Sequence, residues 1–468
     1  MELRASNRVL PPGPRRMFRR TLVSPGSNPL PLLTKLTRTH GDVVYFPLSG
    51  ERCYLINHPH FIRDVLVTNQ KNFTKSRGLE RAKRLLGEGL LTSEGAAHLR
   101  QRRLMQPAFH RDRIAGYGAV MVDHAHRMRT RWQDGATVDA SKEMMRVTLA
   151  IVGKTLFDTD VESKADEVGV AVTQVLHSFW VHLLPFSNVI EHLPIPMLRR
   201  ARAARERLDR LIYAMIAERR ATGHDHGDLL SMLLAAQDEE HETDVTPAFR
   251  AAGGLSDRQV RDEALTLLLA GHETTANALT WTWYLLSQNV DAESKLHDEV
   301  DRALEGRLPT MADIPRLPYV ERVVTEAMRL YPPAWMIGRR AIADYTLGEY
   351  ALAPRSIVFM SPWITHRDAR FFPDPERFDP DRWSPEFKSA LPKFAYYPFG
   401  GGVRQCIGEQ FAWMELVLVV ATVAQQWRLR LVPNHPVVPQ PLVTLRAKHG
   451  MVMTVERRTK NEELRTKN

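Results

Sequence analysis

Phe399-Gly400-Gly401-Gly402-Val403-Arg404-Gln405-Cys406-Ile407-Gly408 is the stretch from which the rest of the chain reads. One cysteine sits in a glycine-rich turn, and an apolar run from Phe411 to Val423 follows at once. Consecutive glycines let the backbone take positive φ and pass close to something flat. A thiolate held there meets backbone N–H groups and the positive end of the following helix. Both lower a thiol pKa and suit the sulfur to a metal. The chain has 2 cysteines in all, so a metal at Cys406 has to bring its other ligands. A haem iron does this, since the porphyrin supplies the equatorial donors and the protein one axial sulfur. An isolated cysteine in a tight turn is more often a small buried side chain. The glycine run, Arg404 and the following helix weigh against that reading here.

Phe399, Gly402, Arg404, Cys406 and Gly408 also fit F-x-x-G-x-R-x-C-x-G at every fixed position. That is the haem-binding signature of the cytochrome P450 superfamily, and the chain resembles its soluble bacterial-type members. The resemblance implies haem b with Cys406 as axial thiolate, Arg404 on a propionate and Phe399 beside the sulfur. Gly400 and Gly408 would belong to the same cofactor-binding loop. It implies the family fold as well: mainly α with a small β-rich side. That fold is a triangular helical prism, with a long central helix over the haem and the cysteine loop below it.

The 468 residues are 44% hydrophobic and 25% charged, an ordinary globular composition with length for a large core. No repeat or low-complexity linker divides them. One domain over 1–468 is therefore expected, with a small N-terminal β-subdomain at about 30–70 and a helical haem-binding core over 96–455. The cysteine count excludes a disulfide framework and a four-cysteine iron–sulfur or zinc site. Cys53, in an apolar strand-like run, reads as a core residue. The formal net charge is +10, but the basic residues are spread along the chain. Without a nucleic-acid motif, nucleic acid is not an expected partner. No apolar run reaches about 18 residues, and Met1 to Arg20 lacks the apolar core of a secretory leader. No transmembrane segment and a cytoplasmic location are expected.

Leu30 to His40 reads as a helix ended by Gly41, and Val43–Phe46 with Cys53–Ile56 as a hairpin. Thr74 to Gly95 reads as irregular. His98 and Arg102 are four apart and share a helix face. Alone they would be a solvated basic face. The resemblance implies that both hold haem propionates, His98 standing where many members carry tryptophan. Helices are expected over 116–157, broken at Asp134-Gly135, and over 164–184 and 198–222. Phe179, Trp180 and Phe186 are candidate substrate contacts, with core packing as the alternative. His224-Asp225-His226 lies between glycines and reads as a solvated turn.

Ser256, with Gln259 three residues on, forms a capping-box pattern. An apolar pattern then runs without proline to about Gln288, the longest helix of the chain. Inside it lies Ala270-Gly271-His272-Glu273-Thr274-Thr275. An acid beside an alcohol is poor core material in a buried helix, and glycine lets a helix open and expose a carbonyl to water. Hydroxyl and carboxylate then form a proton relay. The stretch matches the family motif A/G-G-x-D/E-T-T/S in full. The resemblance implies Thr274 and Glu273 as the catalytic pair, Thr274 orienting water and dioxygen and Glu273 carrying protons inward. Ala270 and Gly271 would lie against the cofactor.

Glu326 and Arg329 can pair on one helix face, although E-x-x-R alone is usually a surface pair worth little. Pro375-Glu376-Arg377-Phe378 matches the family's PERF segment, which implies a structural triad of Glu326, Arg329 and Arg377. Arg339 is a candidate propionate partner, with Arg340 competing. Ala334, Ile337, Leu442 and Val443, with Thr444, are implied pocket residues. Leu442–Leu445 and Met451–Val455 read as a final hairpin around His449-Gly450.

Together these features imply a haem-thiolate monooxygenase. It would insert one atom of O2 into a C–H bond of a lipophilic small molecule such as a fatty acid, terpenoid or steroid. No nucleotide-binding fingerprint, flavin segment or cysteine cluster is visible. A ferredoxin or flavodoxin with its NAD(P)H reductase is therefore the expected electron source, and the enzyme is expected to be a monomer. A peroxide-using peroxygenase or a non-oxygenase haem-thiolate enzyme is the alternative, and the intact Glu273–Thr274 pair argues against it.

Overall fold

The capping box expected at Ser256 is present. The Gln259 N–H donates to Ser256 Oγ at 3.3 Å, and the Ser256 N–H donates to Gln259 Oε1 at 2.9 Å. It opens a helix of 32 residues, Asp257–Gln288, about 48 Å long at about 1.5 Å per residue. Nearly every position from Val260 to Leu286 is buried. A helix buried on nearly every face belongs in the middle of a fold, and this one lies there although it buries Arg261, Asp262, Glu263 and Glu273.

The computed structural model describes residues 10–15, 28–48, 50–159, 165–183, 187–190, 193, 195–222, 228–235 and 255–458. Strands, and helices of at least seven residues, are numbered along it. The first part holds α1 (Leu30–His40), β1 (Val43–Leu48), β2 (Glu51–Ile56), β3 (Phe73–Lys75), α2 (Arg77–Leu86) and α3 (Gly95–Met105). There follow α4 (Arg111–Thr130), β4 (Thr137–Asp139), α5 (Ala140–Phe157), α6 (Ala165–Leu183), α7 (Pro196–Thr222) and α8 (Leu229–Ala235). The central helix is α9, followed by α10 (Val290–Leu304), α11 (Pro318–Leu330), β5 (Ile337–Ala341), β6 (Tyr345–Leu347), β7 (Tyr350–Leu352) and β8 (Ile357–Met360). The last part holds α12 (Glu409–Ala424), β9 (Trp427–Leu431), β10 (Pro439–Pro441), β11 (Leu445–Ala447) and β12 (Val452–Arg457).

Helices α5, α7, α11 and α12 pack around α9. To one side lies a five-stranded sheet in the order β1-β2-β8-β5-β3. Its N-terminal hairpin continues into strands from the second half of the chain, with β2 parallel to β8 and Cys53 beside Ile357. At the far edge β3 runs antiparallel to β5, which sets Lys75 opposite Arg339.

Two local expectations give way. Thr74 to Gly95 is not irregular: β3 ends in it and α2 fills much of it. Ala82, Leu85 and Leu86 bury one stripe of α2, and Gly87 at φ 77° closes it, so Gly78 is carried inside a helix turn. The final hairpin does not form either. Leu445–Ala447 pairs with Pro439–Pro441, while Val452–Arg457 lies between β4 and β9. Met453 and Val455 are fully buried there beside Leu429 and Leu431, which an isolated hairpin could not provide.

Glu326 and Arg329 are both 0% exposed and pair through Nε at 2.8 Å. Arg329 Nη1 donates to the carbonyls of His366 and Pro375, and Nη2 to that of Arg377. Glu326 also accepts from Arg382 Nε at 3.1 Å, Trp383 Nε1 at 2.8 Å and the Asp379 N–H at 3.0 Å. The guanidinium place expected for Arg377 is thus taken by Arg382. The turn Pro380–Arg382 folds Arg382 back over Glu326, while the Arg377 side chain stays exposed and lends its carbonyl. Glu326→Ala leaves a buried guanidinium unpaired and should cost about 3–5 kcal/mol. Arg377→Ala should cost less than about 1 kcal/mol. Chemical denaturation of the two variants checks the ranking, and equal losses would refute it.

Candidate active site

The cysteine loop turns on Gly400 at φ 73° and Gly402 at φ 71°. A Cβ on Gly402 would lie 2.0 Å from the Leu66 carbonyl oxygen, so the loop can seat on that turn only with glycine there. The Val403 N–H donates to Gln70 Oε1 at 3.1 Å, and the Cys406 N–H to the Phe399 carbonyl at 3.0 Å. Cys406 then faces a cavity of about 1110 Å³, whose wall includes Phe399, Gly400, Arg404 and Gly408. Burial pushes the Cys406 thiol up to about 11, outweighing the Gly408 N–H and Arg102, which pull it down. The expected lowering is therefore present in its parts but not in its sum. A metal taking this sulfur has to displace a proton.

Seven basic side chains line the same cavity. Arg77 pairs with Glu51, while Lys75, His98, Arg102, Arg339 and Arg404 form a cluster whose charges act on one another. Lys75 is 7% exposed, His98 4% and Arg339 8%. Lys75 Nζ donates to the carbonyls of Leu90 and Ser93, and Arg102 Nη1 to that of Gln405 at 2.7 Å. One carboxylate, Glu94, stands among them. It accepts both terminal nitrogens of Arg404 and the Lys75 N–H. Burial, then the charge of Arg404, pushes the Lys75 ammonium down to about 7. Burial likewise pushes His98 down to about 4 and Arg339 to about 10.

Like charges directly across a strand pair repel, and the β3–β5 register places Lys75 and Arg339 so. One carboxylate does not balance this cluster. Two further carboxylates entering the cavity would, and the two propionates of haem supply them. Arg340 turns away and pairs with Glu80 at 2.9 Å, so Arg339 is the arginine on the cavity wall. Lys75 escaped the sequence reading. It becomes visible only through its pairing with β5, more than 250 residues later.

On α9, Ala270, Gly271 and Thr274 line the cavity. The helix does not open at Gly271. A Cβ there would meet Val152 Cγ2 of α5 at 3.2 Å, so this glycine serves close helix packing. Thr274 Oγ1 donates back to the Ala270 carbonyl at 2.6 Å. Glu273 is 2% exposed and lies off the cavity wall. It accepts from Thr444 Oγ1 at 2.6 Å and from Arg446 Nε. Thr444, expected in the pocket, therefore faces α9, whereas Ala334, Ile337, Leu442 and Val443 do line the cavity. The Phe179, Trp180 and Phe186 side chains and His224-Asp225-His226 lie outside the described residues. Among the described residues no group of His, Cys, Asp and Glu could hold a metal by itself, and no helix is long and apolar enough to cross a membrane.

A cysteine in a glycine turn, a cationic nest and a long helix over one cavity define a haem-thiolate protein. The sequence profile of the cytochrome P450 family matches residues 11–454, and the chain belongs to that family. It is 42% identical over 421 residues to "Cyclooctatin synthase" of Streptomyces melanosporofaciens, covering 90% of this chain and 89% of the relative. It is 39% identical over 407 residues to "Cyclooctat-9-en-7-ol 5-monooxygenase" of the same organism, covering 87% and 86%. "Pentalenene oxygenase" of Streptomyces avermitilis is 36% identical over 420 residues, covering 89% and 90%. The solved structure "Retinoic acid bound cyanobacterial CYP120A1" shares the fold at a TM-score of 0.84 and 24% identity, covering 96% of this chain and all of that one. The protein is a haem-thiolate monooxygenase of lipophilic small molecules and takes its electrons from a redox partner.

The Lys75 ammonium, ordinarily at 10.5, lies near 7 in the haem-free fold. Its contribution to stability is full above 10.5 and is lost as pH falls toward 7. Lys75→Met should flatten that slope in thermal melts of the haem-free protein and raise its unfolding temperature near neutral pH. The same variant should release haem to a scavenger protein about tenfold faster. Slower or unchanged release would remove Lys75 from the cofactor nest.

Proposed function

We propose that the chain hydroxylates a cyclic terpenoid, and that Cys406 holds haem b as its axial thiolate. The observation that carries this reading is one cavity lined at once by Cys406, by an unbalanced cationic nest and by apolar side chains. The named relatives act within cyclic terpenoid chemistry, which supports the substrate class.

Haem, when bound, would supply the C–H hydroxylation chemistry, with dioxygen and two electrons from the redox partner. The chain's own residues do the rest. Arg102, Arg339, Arg404, Lys75 and His98 would hold the propionates, His98 through a ring N–H. Phe399, which lies beside Trp413 with ring centroids 5.7 Å apart, shields the sulfur from water. Ala270 and Gly271, which line the cavity, would lie against the cofactor. Ala334, Ile337, Leu442 and Val443 hold the substrate by apolar contact and exclude loose water. Thr274 passes protons at its hydroxyl, which already donates to the Ala270 carbonyl. Glu273 accepts from Thr444 and Arg446, so it has to leave that pair before it can take up a proton and pass it toward Thr274.

The electron donor is a ferredoxin or flavodoxin with its NAD(P)H reductase, for which a net charge of +10 is a suitable complement. The protein works as a monomeric, single-domain cytoplasmic enzyme. A reduced carbon-monoxide difference spectrum should show the red-shifted band of a thiolate-bound haem, and Cys406→Ala should lose both the band and turnover. A panel of cyclic terpenes should shift the haem spectrum on binding; steroids or fatty acids binding in their place would overturn the substrate class. Thr274→Ala should keep haem and binding but release more peroxide per electron consumed, and coupling as good as wild type would move the proton route elsewhere.

A further inference from the structure

Thr266 lies on α9, four residues before Ala270 and eight before Thr274, so all three share one face of the helix. All three line the cavity. Thr266 stands about 6 Å along the helix axis from Ala270, away from the part of the wall nearest the proposed chemistry.

Its hydroxyl is unusual. A threonine inside a helix ordinarily donates to the carbonyl four residues earlier. Thr275 does so to Gly271, Thr280 to Ala276 and Thr282 to Ala278 on the same helix. Thr148 and Thr155 do so on α5, and Thr422 on α12. Thr266 is 3% exposed, yet its Oγ1 has no hydrogen-bond partner. A buried hydroxyl without a partner costs about 1–3 kcal/mol, and such groups are uncommon unless water or a ligand completes them.

The hydroxyl lies against the loop: a Cβ on Gly89 would be 2.3 Å from Thr266 Oγ1, yet no hydrogen bond joins it to the protein there. Thr266 also lines the cavity, and rotation about a single side-chain torsion turns its hydroxyl toward it. Around it the wall is apolar, with Leu90, Leu91, Leu267 and Ala270. A lone hydroxyl in such a wall sets orientation and specificity rather than bulk affinity.

We infer that Thr266 is a specificity-determining residue that hydrogen-bonds an oxygen the substrate already carries, at a site remote from the carbon being oxidised. The substrate is then a cyclic terpenoid bearing one hydroxyl or carbonyl, and an earlier oxygenation or a water-terminated cyclisation must supply it. This rests on the terpenoid reading above.

The test uses the haem-loaded protein and a matched pair from the terpene panel, a cyclic hydrocarbon and its alcohol, such as cedrene and cedrol. Spectral titration should show the alcohol binding about fivefold to tenfold more weakly to Thr266→Val than to wild type. The hydrocarbon should bind both equally, and Thr266→Ser should restore the alcohol. The ligand-free Thr266→Val protein should unfold at the same temperature as wild type or higher, because no protein hydrogen bond is lost. Equal effects on alcohol and hydrocarbon, or none on either, would overturn the subsite while leaving the terpenoid reading in place. If no hydrocarbon–alcohol pair shifted the wild-type spectrum, the terpenoid reading and this subsite would fall together.

Discussion

Lys75 and Arg339 stand side by side across a strand pair, buried, with a third cation in Arg404 and one carboxylate among them. No fold gains by collecting such charges for their own sake, because burial penalises each and their neighbours repel. The arrangement makes physical sense around a dianion. The residues concerned come from β3, α3, β5 and the cysteine loop, four segments far apart in the chain. A group that neutralises them ties the edge of the sheet to the helical core. A dianionic cofactor held there would be part of the folding energetics as well as of the chemistry.

The sulfur side follows the same logic. Burial raises the Cys406 thiol, and a cation at the sulfur would lower it again. The protein's own contacts also position the loop. Gly402 seats it on Leu66, and the buried Glu326–Arg329 pair fixes the chain that leads into it. Arg329 binds three carbonyls of that chain, while Arg382 and Trp383 fold back onto Glu326. A buried ion pair is a poor source of net stability. Here it acts as a geometric clamp, and its satisfied hydrogen bonds are what make it tolerable.

The parts of this plan that are local in sequence were legible in it. The cysteine loop, the capping box at Ser256, the long apolar helix and the Ala270–Thr275 stretch each carry their meaning within a few residues. What escaped depends on partners far away. Glu273 meets Arg446 across 173 residues, and no spacing rule announces that pair. Lys75 looks like any lysine until β3 finds β5. Arg382 displaces Arg377 because a short proline turn reverses the chain, a choice the E-x-x-R pattern does not contain. Gly271 was read for the flexibility glycine allows. Its neighbour Val152 shows the other use of a missing side chain, close approach of two helices.

The segment from Leu442 to Arg446 joins the two halves of the site. Leu442 and Val443 form part of the cavity wall, and the next residues turn to α9, where Thr444 and Arg446 hold Glu273. Asn277, one turn further along α9, donates to the same threonine hydroxyl at 3.1 Å. Apolar wall and buried acid are thus held by one short run of backbone, which cannot shift at one end without straining the other. Helix α9 has the complementary division. One face, through Thr266, Ala270 and Thr274, meets the cavity, while Glu273 on another is closed off by charge. The acid is kept out of the apolar chamber by its pairing. The face that α9 turns to the cavity therefore offers hydroxyl groups and hydrocarbon, and withholds its own carboxylate.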